Sequence, residues 1–194
     1  MTPFEYVIPL VSLLVGLAIT DLAVSLNRLL RARARVEWDW LTLATAFVAI
    51  VAVLDIWWMF YGIRDETSYH TLLGFLPYAF QLIILFLVNA AALPDDVPPG
   101  GIRLRAFYAG NSRYLWSLFT LYVVSALVHH SGEVLREGVD LAGYLRATGL
   151  IYCFVGLFGS LIFVRRRWYH GFVMLAFAAA YFSTLAFRSL DGML

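Results

Sequence analysis

GLAITDLAVSLNRLL, residues Gly16–Leu30, is apolar on nearly every side of a helix, yet Asp21 sits in its middle, with Asn27 and Arg28 behind it. In water a carboxylate there would be unremarkable. In hydrocarbon it costs about 2.5–3.5 kcal/mol unless it turns inward, finds a partner or is protonated. The solvent therefore decides how the segment reads.

Composition identifies that solvent. The 194 residues are 62% hydrophobic and only 14% charged, against about 45–50% and about 25% in soluble domains. So few charges cannot cover a water-facing surface. The expected class is an all-α polytopic membrane protein forming a single domain. Runs of roughly 20 apolar residues mark membrane spans. Six are read, at about 6–26, 41–63, 71–93, 114–130, 145–164 and 171–187. The segment 102–116 alternates basic, aromatic and apolar residues and reads as an interfacial helix leading into span four.

All fourteen cations are arginine. Ten lie in the loops after spans one, three and five: Arg28, Arg31, Arg33, Arg35, Arg103, Arg105, Arg113, Arg165, Arg166 and Arg167. Arg64, Arg136, Arg146 and Arg188 fall on the other side. Cationic loops stay cytoplasmic. This split predicts six spans, both termini outside, in a bacterial-type inner (plasma) membrane. Arg31, Arg33, Arg35, Arg165, Arg166 and Arg167 are expected to face anionic lipid headgroups. A net charge of +1 gives no reason to expect nucleic acid.

The scarce polar groups inside the spans carry the functional expectation. Asp21 and Asp55 lie on opposite sides of the membrane centre, with Gln81 and Thr120 between them and Asn89, about two turns inward of Gln81, adding to the polar path. Intramembrane ionisable groups commonly mark ion or proton routes. The leading expectation is a small channel or secondary transporter, proton-linked through these carboxylates. The alternatives are a non-catalytic scaffold or accessory subunit, and an enzyme or binder of a lipophilic ligand. Asp55 has a plainer role available, an ion pair with Arg188.

His129, His130 and Glu133 share a helical face at one end of span four, and His70 begins span three on the same side. With Asp65 and Glu66 they form a candidate metal or pH-sensing group. The histidines do not occur as an intramembrane pair at matched depth for haem, so no cofactor is expected. No phosphate-binding loop or nucleophile elbow is present, and no catalytic residues are assigned.

Gly149, Cys153, Gly156 and Ser160 recur at spacings of four, three and four on span five. Ala176, Ala180 and Ser183 repeat the device on span six. Small residues allow helices to approach closely in lipid. The first expectation is packing within the bundle, and the second a homo-oligomer seam.

Overall fold

A computed structural model describes residues 2–62, 70–136 and 138–185, the last four of these by backbone alone. Arg64, Asp65, Glu66 and Arg188 lie outside the described residues. Among the described residues the fold is all-α apart from one two-residue strand pair. Its elements are α1 (Pro3–Arg31), β1 (Val36–Glu37), α2 (Trp40–Gly62), α3 (Leu72–Ala92), β2 (Ile102–Arg103), α4 (Leu104–Arg136), α5 (Leu141–Phe163) and α6 (Arg167–Leu185).

Local chemistry starts these helices. Thr2 and Glu5 form a reciprocal capping box at α1, with Pro3 in the first turn. Thr71 caps α3 through Gly74 N–H at 3.1 Å, and Asp140 caps α5 through Gly143 N–H at 2.9 Å. Pro9 and Pro77 sit inside helices, near their N-terminal ends.

Among the described residues, five helices, α1–α5, are long and apolar enough to cross a membrane. The sixth, α6, has 19 described residues and is not among them. Burial shows what surrounds them. Only 17% of the most apolar window of α5 is buried, and only 44% of that of α3. Leu13, Leu17, Leu54, Ile83 and Leu150 all face outward. Apolar side chains turned outward on every long helix are the mark of a helical membrane-type fold.

The fourth helix corrects the sequence reading. Segment 102–116 is not a separate surface helix. After the β2 residues Ile102 and Arg103 it continues from Leu104 unbroken into the span, and α4 runs 33 residues, about 50 Å at 1.5 Å per residue. That exceeds a hydrocarbon core of about 30 Å, so α4 projects beyond it. Gly110 does not interrupt the helix.

Chain alternation puts the arginine-rich loops at one end of the bundle and His129, His130 and Glu133 at the other. At the arginine end the loops clasp each other. β1 and β2 pair in parallel, Val36 opposite Ile102. Arg28 donates to the Asp95 carbonyl, Arg35 to the Pro99 carbonyl (3.4 Å), and Arg103 pairs with Glu37 (2.8 Å).

Packing differs between the ends. The larger core cluster takes buried residues from all six helices, including Leu22, Leu41, Val88, Trp116, Phe158 and Val173. The smaller cluster, toward the histidine end, takes its buried residues from α1–α3 alone. There α4 still meets α3 through Tyr78 and His129, and a cavity is lined by residues of α2–α6.

Candidate functional site

The cavity has a volume of about 390 Å³. Its walls follow helical periodicity. Val48, Ala52, Asp55 and Met59 form one stripe of α2, and α4 contributes residues from Phe119 to Glu133 at spacings of three and four. From Phe119 to Glu133 is about 21 Å along the helix axis. Gln81 and Tyr78 reach in from α3, and Phe154, Phe158 and Phe177 from α5 and α6.

The two ends differ chemically. The deep end is aromatic: Phe158 and Phe177 rings lie 5.1 Å apart, and Trp116 and Phe119 stack beside them at 5.4 Å. The histidine end is polar and titratable. His129 Nε2 lies 3.2 Å from Glu133 Oε1, and His130 Nδ1 lies 3.9 Å from Glu133 Oε2. The His129 contact has ion-pair distance without hydrogen-bond alignment. Its attraction therefore depends on the imidazole being protonated. The Tyr78 ring meets His129 edge-on at 4.5 Å and fixes its position.

The structure thus joins two groups that the sequence kept apart. Asp55 and Gln81, expected on an ion path, share one cavity with His129, His130 and Glu133. The remaining ladder residues do not line it. Asn89 donates to Leu85 O at 2.9 Å and across to Ala49 O at 3.2 Å, tying α3 to α2. Thr120 donates to Trp116 O on its own helix at 2.7 Å. Asp21 is half-buried, and its Oδ2 is enclosed without a hydrogen-bond partner among the described residues. His70 is exposed at the start of α3. Among the described residues no group of three or more His, Cys, Asp and Glu side chains could hold a metal ion.

The small-residue stripe of α5 turns outward over most of its length. Cys153 and Gly156 are exposed, and a Cβ added at Gly149 or Gly156 would meet nothing within 4 Å. Only Ser160 is engaged, 2.8 Å from the Tyr169 hydroxyl of α6. Packing within the bundle, the first expectation, does not describe Gly149, Cys153 or Gly156.

Sequence reading missed a polar hub at the arginine end. Asp39 caps α2, accepting from Thr42 N–H at 3.1 Å and the Thr42 hydroxyl at 2.9 Å. Both its oxygens also accept from the Arg167 guanidinium. Arg167, expected to face headgroups, is instead turned inward onto this carboxylate. Burial is the largest single influence on Asp39 and opposes its charge. The Arg167 guanidinium and the Thr42 donors together outweigh it and hold the carboxyl below its ordinary value.

Beside this pair, His170 Nε2 lies 2.6 Å from the Val164 carbonyl, so that nitrogen carries the proton and donates. Nδ1 then accepts from the Tyr108 hydroxyl at 2.8 Å, which itself accepts from Trp116 Nε1 at 3.0 Å. His170 and Tyr108 are buried with their polar atoms matched. The only sequence signal was the cluster of uncommon polar residues beside the arginine loops.

No protein-family model, curated protein or solved structure matches this chain.

Proposed function

We propose that the chain is a small multi-pass transporter of an amphipathic solute, with the cavity as its binding site and proton linkage through its titratable end. Six spans with both termini outside a bacterial-type inner membrane complete this reading, supported by the ten-to-four distribution of arginine between alternate loops. One observation carries it: Asp55, Gln81, His129, His130 and Glu133 line a single cavity whose deep end is aromatic. Such a space suits a molecule with an apolar body and one polar group. Protonation at the histidine end changes the charge that this polar group meets. Asp21 and Asn89 belong to the packing of α1–α3 in this view.

Proteoliposomes loaded with a pH-sensitive dye and given a pH step test the proposal. Wild-type protein is expected to pass protons faster than protein-free vesicles. Glu133→Gln should slow that flux about fivefold or more, a loss of about 1 kcal/mol of stabilisation along the path. Asp21→Asn should leave the rate near wild type. Equal rates for wild type, Glu133→Gln and empty vesicles would remove the proton-linked reading.

The outward stripe of α5 favours a second reading, a scaffold or accessory subunit that self-associates through Gly149, Cys153 and Gly156. Cys153 is free and exposed, so it reports on such a seam. Oxidative cross-linking in membranes should give a Cys153-linked dimer, and Gly156→Leu should reduce its yield at least about fivefold by blocking helix approach. A yield indifferent to Gly156→Leu would place the seam elsewhere.

A further inference from the structure

A second cavity, of about 610 Å³, lies at the arginine end between the start of α4 and the α5–α6 connection. Arg105 and Arg113 line it from α4, two turns apart on one face, and Arg165 and Arg167 from the other side. Its floor is the buried pair Tyr108 and His170, held by Trp116 and the Val164 carbonyl.

The arginines at this end fall into distinct sets. Arg28, Arg35 and Arg103 are engaged by the loop clasp. Arg167 is matched by Asp39. Arg105, Arg113 and Arg165 are exposed and have no acidic partner among the described residues, yet they line one cavity. Like charges gathered in one recess repel, and a multivalent anion relieves that repulsion while satisfying several guanidinium donors at once. The first turn of α6 adds its positive end in the same sense. Trp168 and Tyr114, exposed on either side, are residue types that sit at headgroup depth.

We infer that this cavity is a binding site for a phosphate group, gripped by Arg105, Arg113 and Arg165 over the fixed Tyr108–His170 floor. Arg31, Arg33 and Arg166 do not line it. The site therefore differs from the diffuse attraction of a basic surface to anionic lipid. Its phosphate comes either from a phospholipid headgroup or from free phosphate in the aqueous phase. This inference is independent of the transport reading, since the two cavities share no lining residue.

The test uses full-length protein in nanodiscs. One arm compares phosphatidylcholine alone with phosphatidylcholine plus phosphatidylglycerol, and native mass spectrometry counts retained anionic lipid. The other arm titrates inorganic phosphate into protein in phosphatidylcholine alone. The double variant R105Q/R113Q is compared with R31Q/R33Q, which removes the same charge from outside the cavity. R165Q is a third variant, and melting temperature in neutral lipid checks that each is folded. Retention of phosphatidylglycerol, lost about tenfold in R105Q/R113Q and R165Q but kept in R31Q/R33Q, establishes a headgroup site. Phosphate binding in neutral lipid with the same pattern of loss establishes a soluble-phosphate site. Binding of neither probe, or equal loss in R31Q/R33Q and R105Q/R113Q, overturns the inference.

Discussion

Replacing Asp39 with alanine is expected to lower stability by about 2–3 kcal/mol, read as the free energy of unfolding in detergent or nanodiscs. Two losses combine. The cap of α2 goes, worth about 1 kcal/mol. The Arg167 guanidinium also loses the carboxylate that holds it across the bundle. Its side chain is 31% exposed, so water recovers part of the cost, and the total stays below that of a fully buried pair. Coupling separates these effects. The double variant Asp39→Ala with Arg167→Ala should be less damaging than the sum of the single changes, because each single change orphans the other group. Strict additivity would mean that the pair contributes nothing beyond its separate parts.

Acid removes the same contribution. The native carboxyl of Asp39 titrates below its ordinary value of 3.8. A depressed native value stabilises the fold above the ordinary value, and that stabilisation is lost as pH falls through the native one. Wild-type melting temperature should therefore drop on acidification below about pH 4. Asp39→Ala should show a flatter acid limb, and parallel limbs would exclude Asp39 as the titrating group.

Gly101→Ala is the second large effect, expected to cost at least about 2 kcal/mol. Gly101 adopts φ +87°, and a Cβ there would lie 2.5 Å from the Arg35 carbonyl oxygen. The backbone conformation alone costs an L-residue about 1–2 kcal/mol. The contact is with backbone next to β1, so relief requires shifting the strand pair that joins the two loops. Its neighbour supplies the control. Gly100 has open space around the same position and no positive φ, so Gly100→Ala should change stability by less than about 0.5 kcal/mol. Equal melting temperatures for the two variants would show that the loop clasp yields freely.

Both effects lie at the arginine end, where the loop charges pointed to topology but not to the contacts of Asp39 or Gly101. The stretch around Asp21, the low charge content and the runs of apolar residues determined that the chain is helical and of membrane type. That information is local, because each span must satisfy its own backbone hydrogen bonds and present apolar side chains outward. Helical spacing likewise placed His129, His130 and Glu133 together, since residues three and four apart share a face.

What the sequence could not carry was distance between helices. Asp55 and Glu133 are 78 positions apart in the chain, and Asp39 and Arg167 are 128 apart. Whether such residues meet depends on how far each helix leans and which face it turns inward. Apolar side chains surrounded by lipid do not fix that choice, because lipid tails and neighbouring leucines are nearly equivalent partners. Tertiary packing therefore decided that Asp21 stays apart from the cavity, that Arg167 turns inward and that the α5 stripe turns out. The sequence determined the helical, membrane-type character and the polar residues each apolar run carries; the packing of the helices determined which of those residues share a cavity.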